Sequence, residues 1–379
     1  MLNKMWGVTA LVLTGAVLAG CSSGTSAPAS SASAGPANLA AAQALLDEYT
    51  KVPAFTSPGP AFDAAAAGAG KTIFALPSNS SISFVEQTTT ALEQIAKEVG
   101  VGVQTYPNQG QTSQWGQGID TAISTKADLL QLVNGVDPDL VTPQLKNVAA
   151  AGIPIVDTHD LDFGQAHNPV VGAFVDGDFV TAGKLIAAWA ITATKGKANV
   201  LILTSNNYKN SFPVADGMRA EFAADCPSCI QKEVNVNGPD WATKLQSTVQ
   251  TSLTADPGIN YILPTFDGML TYVIPGIRSA GAVGKVFAAS YNGSPDMLDL
   301  VRDNGIVRMI VGENPAQIAA AGLDQSLRIL AGLKPSADEH LVLRAFTADN
   351  VGEAGTPAKL GQGYGDAWHA GYLTTWGLG

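Results

Sequence analysis

The chain has 379 residues, of which 46% are hydrophobic and only 14% are charged, and its formal net charge is -11. That length allows roughly two domains of about 150 residues each. The acidic balance and the sparse charge argue against a nucleic-acid-binding protein, because such proteins present a basic patch.

The N-terminus has the pattern of an export signal. Lys4 supplies a positive charge, and residues 7–17 form an apolar run that is shorter than the ~20 residues of a membrane-spanning helix. The sequence LAGC, which ends at Cys21, resembles the bacterial lipoprotein signal, in which the cysteine is lipidated and becomes the first residue. This resemblance implies a signal peptide over residues 1–20 and a lipid anchor whose two acyl chains suffice for stable attachment. An ordinary secretory peptide and an uncleaved membrane anchor are the alternatives.

Residues 21–70 are expected to be a flexible tether that contains one short helix. Residues 22–37 consist only of Ser, Ala, Gly, Pro and Thr, which build no hydrophobic core. Asn38 is a suitable N-cap for a short helix that begins at Leu39. Residues 52–70 are rich in Pro, Gly and Ala and predict extended chain that leads into the folded part.

The folded part is expected to begin with a strand, a polar loop and a helix over residues 71–100. The apolar run TIFAL ends at Pro77 and the polar sequence SNSS, which predicts a short buried strand followed by a loop. Apolar residues then recur at three- and four-residue spacing from Phe84 to Val99, which predicts an amphipathic helix. Because ligands bind at the carboxyl ends of strands in open α/β sheets, this loop is a candidate binding loop.

Strands and helices alternate along the rest of the chain to about residue 346. The predicted strands are 101–106, 128–133, 153–156, 170–175, 199–204, 230–236, 261–263, 286–289, 306–311 and 341–346. The predicted helices are 112–125, 138–151, 179–194, 213–224, 240–253, 268–280, 295–304 and 316–331. This alternation predicts parallel sheets covered by helices on both faces, and its two series predict two α/β lobes.

Four stretches in this order resemble the type I periplasmic binding proteins, and in particular their ribose- and galactose-type sugar branch. They are the first strand, loop and helix, the sequence AGIPIVDTH at 151–159, AASYNGSPDM at 288–297 and MIVGENPAQI at 309–318. The resemblance covers about three-quarters of the chain. It implies an α/β fold with two Rossmann-like lobes whose parallel sheets are joined by a three-stranded hinge.

The resemblance also implies how the chain is divided and what it does. Lobe 1 is expected to hold residues 71–175 and 314–346, and lobe 2 residues 176–313 and 347–379. A small molecule would be trapped between the lobes when the hinge closes and delivered to an ABC permease in the membrane. We expect a monomer without a cofactor or a nucleic-acid partner. A receptor lipoprotein that signals to a membrane kinase or chemoreceptor is the alternative.

No enzymatic activity is expected. The sequence contains no G-x-S-x-G elbow, no H-E-x-x-H motif and no P-loop. Its carboxylate pairs have no spacing that singles out a general acid and a general base.

The candidate ligand-binding residues are polar or aromatic, and most are carried over from the family's binding positions. They are Ser78, Asn79, Ser81, Phe84, Trp115, His159, Asp160, Phe212, Trp241, Phe266, Asp267, Asn292 and Glu313. Sugar binders of this branch use arginines to hold the ligand. In this sequence His159 and Asp160 stand at the strand end where an arginine is usual, and Phe212 stands where a further arginine is expected. We therefore expect a neutral ligand, with a sugar or polyol favoured and a small aromatic molecule as the alternative.

Several of these residues have a structural alternative. Phe84, Phe212 and Phe266 could be part of the hydrophobic core. Trp115 could stack on the ligand or seal its helix against the sheet. His159 could hydrogen-bond its own loop.

Two clusters of potential metal ligands lack the rest of a metal-binding motif. Asp157, Asp160 and Asp162 are not followed by the glycine and glutamate of an EF-hand loop. Cys226 and Cys229 form a CPSC sequence without the second cysteine pair of a zinc site. In an exported protein this pair is expected to form a local structural disulfide, and members of the resembled family can carry such a pair at this position.

Overall fold

A computed structural model describes residues 35–379 of the protein. The predicted signal peptide, the lipidation site at Cys21 and the first part of the predicted tether lie outside these residues. Among the residues described, no helix is both long and apolar enough to cross a membrane.

Eleven strands and twelve α-helices alternate over much of this range. The strands are β1 (Thr72–Pro77), β2 (Gly102–Thr105), β3 (Leu129–Val133), β4 (Ile155–Asp162), β5 (Ala173–Gly177), β6 (Asn199–Thr204), β7 (Ile230–Asn235), β8 (Tyr261–Pro264), β9 (Phe287–Asn292), β10 (Val307–Glu313) and β11 (Leu343–Thr347). The helices are α1 (Leu39–Tyr49), α2 (Ala64–Gly68), α3 (Ser83–Val99), α4 (Thr112–Ser124), α5 (Thr142–Ala150), α6 (Phe179–Ala193), α7 (Ser211–Asp225), α8 (Gln246–Ala255), α9 (Leu270–Ser279), α10 (Pro295–Arg302), α11 (Pro315–Leu330) and α12 (Ala367–Thr375).

The strands form one sheet in each of two lobes. Lobe 1 contains a five-stranded parallel sheet in the order β2-β1-β3-β4-β5. Lobe 2 contains a six-stranded sheet in the order β11-β10-β9-β8-β6-β7, in which only the β10–β11 pair is antiparallel. Helical crossovers join the consecutive parallel strands, except for β4 and β5, which are joined by a loop over residues 163–172. The prediction of two Rossmann-like α/β lobes is confirmed.

Helix α3 follows the first strand-end loop and packs on the lobe 1 sheet. Its apolar face buries Phe84, Leu92 and Val99 against the lobe 1 sheet and α11. Gly100 ends the helix in the left-handed region at φ 83°, and its N–H bonds to the carbonyl of Ala96. The loop that precedes α3 directly follows β1, so it lies at the carboxyl edge of the sheet.

Between β1 and β11 the chain crosses between the lobes three times. It passes to lobe 2 between β5 and α6, returns to lobe 1 between β10 and α11, and passes to lobe 2 again between α11 and β11. Helix α11 packs on α3, β4 and β5 of lobe 1, whereas β11 pairs with β10 of lobe 2. These three crossings form the hinge of the expected fold.

The C-terminal lobe boundaries differ from the expected division, which assigned 314–346 to lobe 1 and 347–379 to lobe 2. Strand β11 extends the lobe 2 sheet, where the edge of β10 offers it backbone hydrogen bonds. Helix α12 packs Tyr372 and Trp376 into the core of lobe 1. The indole Nε1 of Trp376 donates to Asp324 at 2.9 Å. Aromatic burial thus places the end of the chain on lobe 1.

Residues 35–70 are packed against both lobes, in contrast to the flexible tether that was expected. The predicted short helix is present as α1, and the Asn38 side chain accepts a hydrogen bond from the Ala41 N–H at 3.3 Å. Helix α1 packs on α6 of lobe 2, and α2 packs on α11 of lobe 1. Between them, the ring of Phe62 lies 4.9 Å from the Arg328 guanidinium. A few apolar and aromatic contacts therefore order a segment of low-complexity composition.

A disulfide joins Cys226 to Cys229, whose Cα atoms lie 5.3 Å apart. It closes the turn between the end of α7 and the start of β7. The disulfide lies outside the strand-end loops that line the cavity, so we interpret it as a structural cross-link.

Candidate ligand-binding site

A cavity lies between the lobes, at the carboxyl ends of both sheets. Together with the solvent at its mouth it measures about 360 Å³. The residues that line it are Ser78, Ile82, Phe84, Val85, Asn134 and His159 from lobe 1 and Tyr208, Asn210, Trp241, Phe266 and Asn292 from lobe 2. The strand-end loops of the two sheets thus face each other across one space.

Six of the candidate residues line this cavity. They are Ser78, Phe84, His159, Trp241, Phe266 and Asn292. Sequence reasoning missed Ile82, Val85, Asn134, Tyr208 and Asn210. All five fall in strand-end loops or the first turn of the following helix, so the rule that ligands bind at the carboxyl ends of strands could have found them.

Aromatic rings form much of the lobe 2 wall. The ring centroid of Tyr208 lies 6.3 Å from that of Trp241 and 6.0 Å from that of Phe266, and both pairs are edge-on. The indole Nε1 of Trp241 donates to the Val236 carbonyl at 3.0 Å, which fixes the ring. Phe84 lines the lobe 1 side. Phe84 and Phe266 are both buried and line the cavity, so they belong to the core and the site at once.

His159 lies at the lobe 1 side in a strained backbone conformation, with φ 64°. Its Nε2 contacts a carboxylate oxygen of Glu313 and lies 3.1 Å from the Tyr291 hydroxyl, which itself donates to Glu313. Burial, followed by the charge of Glu313, raises the pKa of Tyr291 well above its ordinary value, so the phenol stays protonated as a donor. Glu313 is 1% exposed and does not line the cavity. It positions His159 instead.

Asp160 lies behind the cavity and does not line it. Neither of its carboxylate oxygens has a hydrogen-bond partner within residues 35–379. Burial, followed by repulsion from Asp137, raises the pKa of Asp160 to about 8. Asp157 is also buried, and burial followed by the charge of Asp160 raises its pKa. The Asp160 carboxyl therefore prefers the protonated form near neutral pH.

Lys209 of lobe 2 reaches across the cleft to the acidic loop of lobe 1. Its ammonium lies 2.8 Å from Asp137 and 2.5 Å from Asp139. Burial alone would lower the pKa of Lys209, but the hydrogen bonds to both carboxylates outweigh it and raise the pKa to about 12. Ser83 and Asp296 form a second contact between the lobes, at 3.0 Å. The structure therefore has a closed cleft.

Trp115 and Asp267 support the cavity loops from behind. Trp115 is 1% exposed, and its Nε1 donates to the Ser78 carbonyl at 2.8 Å, so it seals α4 against the sheet and holds the first loop. Asp267 is fully buried and accepts hydrogen bonds from the N–H groups of Gly293 and Ser294. Burial raises its pKa to about 7. Neither side chain lines the cavity.

The three remaining candidates lie away from the cavity. Asn79 and Ser81 line a wider groove at the boundary between the lobes, next to the cavity. The side-chain amide oxygen of Asn79 accepts a hydrogen bond from the Ser81 hydroxyl at 2.7 Å. Phe212 is 45% exposed and points away from the cavity, because it lies on the outer side of the first turn of α7.

No cluster of three or more His, Cys, Asp or Glu side chains in the described part of the chain has the arrangement of a metal site. Asp157, Asp160 and Asp162 lie on β4, whose regular pairing with β5 is interrupted between Thr158 and Asp162, and they form no such cluster.

Residues 73–334, more than half of the chain, match the family model described as a periplasmic binding protein domain. The chain belongs to this family. Members are binding proteins and not enzymes, in agreement with the absence of catalytic motifs from the sequence. No curated protein sequence matches this periplasmic binding protein.

Solved structures with the same fold include three solute-binding proteins. An ABC transporter solute-binding protein from Agrobacterium vitis with bound allitol has a TM-score of 0.67 and 18% identity, covering 75% of this chain and 97% of its own. The myo-inositol-binding protein of Caulobacter, bound to myo-inositol, has a TM-score of 0.66 and 19% identity, covering 76% and 97%. The 5-methylthioribose transporter solute-binding protein of Thermotoga lettingae has a TM-score of 0.67 and 16% identity, covering 80% and 97%. At such identities the likeness concerns the fold of this binding protein.

Proposed function

We propose that the protein is the solute-binding component of an ABC importer. It captures a small neutral ligand between its lobes by hinge closure and delivers it to a membrane permease. A sugar or polyol is the favoured ligand, and a small aromatic molecule is the alternative. The observation that carries this proposal is the cavity between the lobes, which combines aromatic rings with neutral polar groups from both sides.

The chemistry of the lining supports a neutral ligand. Among the described residues that line the cavity there is no Lys, Arg, Asp or Glu. An anionic ligand would lose its hydration without gaining a cationic partner, which costs free energy. Sugars and polyols instead present apolar faces that pack on Trp241 and Phe266 and hydroxyls that bond to amides such as Asn292. The bound allitol and myo-inositol of the structural neighbours are ligands of this kind.

The contacts between the lobes support capture by closure. Lys209 bonds to Asp137 and Asp139 across the cleft, and Asn210 donates to the His159 carbonyl at 3.2 Å. A ligand that touches both lobes adds to these contacts only in the closed form. It therefore shifts the population towards that form by its differential affinity.

The location and partners follow from the same proposal. The protein is exported and held at the outer face of the cell membrane by a lipid on Cys21, and it acts as a monomer beside its permease. Replacement of Cys21 with alanine should abolish incorporation of a labelled fatty acid. Retention of the label would refute the anchor, and a dimer in size-exclusion chromatography would refute the monomer.

Thermal-shift screening tests the proposed binding. Purified protein is melted with pentoses, hexoses, hexitols, inositols and small neutral aromatic molecules, with sugar phosphates as the charged control. A neutral solute at 100 times its Kd should stabilise the protein by about 2.7 kcal/mol. Mass spectrometry of co-purified small molecules extends the panel. If no neutral solute raises the melting temperature and none co-purifies, the proposed function is refuted.

A further inference from the structure

Two side-chain amide oxygens at the cavity have no hydrogen-bond partner within the described residues. One belongs to Asn134 of lobe 1 and the other to Asn210 of lobe 2, and each residue is only 6% exposed. A buried carbonyl oxygen without a partner costs free energy, so such groups are normally paired.

The orientation of the Asn134 amide is determined by its neighbours. The hydroxyl of Thr88 donates to the Phe84 carbonyl at 2.9 Å, so its oxygen is left to accept. The Asn134 Nδ2 lies 2.8 Å from that oxygen and is therefore the donor. An exchanged amide would place two acceptors against each other. The free group of Asn134 is thus its carbonyl oxygen.

The orientation of the Asn210 amide is determined in the same way by the opposite lobe. Its Nδ2 donates to the backbone carbonyl of His159, which can only accept. The free group of Asn210 is again the carbonyl oxygen. Because the bond to His159 crosses between the lobes, this oxygen is held in place only when the cleft is closed.

We propose that the carbonyl oxygens of Asn134 and Asn210 each accept a hydrogen bond from the bound solute, so that the site selects an uncharged molecule with hydroxyl or N–H donors for both lobes. This inference rests on the proposed function and adds the residues that set its specificity. A solute with only acceptor groups, such as an ether, leaves both oxygens unpaired. An anion meets the negative ends of both amide dipoles. A solute with two donor groups can bond to both oxygens at once only when the cleft is closed. Its capture is therefore linked to closure.

The test uses the neutral sugar or polyol of the panel that binds the wild type most tightly, together with its O-methyl ethers. Asn134→Leu and Asn210→Leu each remove the amide oxygen together with its Nδ2 donor and keep a branched side chain with the same number of heavy atoms. Asn206→Leu, in the exposed part of the same loop as Asn210, is the matched control. Asn134→Asp keeps an acceptor at the site. Affinities are measured by isothermal titration calorimetry, and melting of the ligand-free proteins reports whether each variant folds.

Each leucine variant should bind about tenfold or more weakly than the wild type, because it leaves a solute donor unpaired. Asn206→Leu should bind like the wild type, and Asn134→Asp should bind more tightly than Asn134→Leu. The wild type should bind at least two of the O-methyl ethers about tenfold more weakly than the parent solute. This comparison does not depend on whether a variant folds. Affinities within twofold of wild type for both leucine variants, or for all ethers, overturn the inference and leave the proposed function intact. Absence of binding by every solute refutes the proposed function, and the inference with it.

Discussion

Replacement of Lys209 with methionine should weaken solute binding about fivefold without unfolding the protein. The ammonium of Lys209 lies 2.8 Å from Asp137 and 2.5 Å from Asp139, and these pairs join lobe 2 to lobe 1. Opening the cleft separates the partners. Methionine keeps most of the side-chain stem, so the substitution removes chiefly the charge.

The magnitude follows from the pKa of Lys209, which is raised from 10.5 to about 12. At 1.36 kcal/mol per unit this shift corresponds to about 2 kcal/mol. The side chains of Lys209 and Asp139 are 29% and 58% exposed, so solvent screening leaves about 1 kcal/mol, or fivefold in a binding constant. Since the pKa is raised, this stabilisation is fully present below pH 10.5 and is lost as the pH rises through about 12. Lys209 therefore stays charged between pH 6 and pH 9.

Calorimetric titration with the best solute of the panel, at low and high salt, measures the effect. Lys244→Met is the matched control, because Lys244 pairs with Asp240 at 2.9 Å within lobe 2 and is 63% exposed. Small-angle scattering of the ligand-free proteins should show a larger radius of gyration for the Lys209 variant. The reasoning is refuted if Lys209→Met binds within 1.5-fold of the wild type, or if Lys244→Met loses as much affinity.

Three further substitutions test other parts of the site. Asp160→Asn should raise the melting temperature near neutral pH, because the buried carboxyl has a pKa of about 8, above its ordinary 3.8. The stabilising contribution of protonated Asp160 to the free energy of unfolding is fully present below pH 3.8 and is lost as the pH rises towards 8. The melting temperature of the variant should therefore exceed that of the wild type by a margin that grows from pH 5 to pH 8. A constant difference would contradict this. Asn292→Ala should weaken solute binding by about 1 kcal/mol or more in calorimetric titration, and an unchanged Kd would remove Asn292 from the site. Trp115→Phe should lower the free energy of unfolding by about 1 kcal/mol in urea titrations, since it deletes the bond to the Ser78 carbonyl. No loss of stability would show that this bond contributes nothing.

Local patterns predicted the regular elements well. The strand predicted at 199–204 is β6, and the helix predicted at 112–125 is α4 within one residue. Both have a clear apolar period, which is a property of neighbouring residues. Helix α12 was not predicted, because its aromatic residues are buried only by contact with lobe 1.

The cavity was predicted less well than the fold. Positions carried over from the family located the correct strand ends, and Trp241 and Asn292 line the cavity. They did not separate residues that face the cavity from residues that hold it in place, such as Glu313 and Trp115. That distinction depends on side-chain direction and on partners far along the chain, as in the contact between His159 and Glu313.

Local apolar period and turn chemistry were enough to predict the order of strands and helices, the two-lobe α/β class and the strand-end loops that line the cavity, because these features depend on residues close together in the chain. The packing of residues 35–70 on both lobes could not be predicted in this way, and neither could the free oxygens of Asn134 and Asn210. Those outcomes depend on hydrogen bonds and burial between residues far apart in the chain. The loop after β1 was therefore recognisable as a candidate binding loop from its own residues, whereas the opposite wall of the cavity could be identified only from the contact between the lobes.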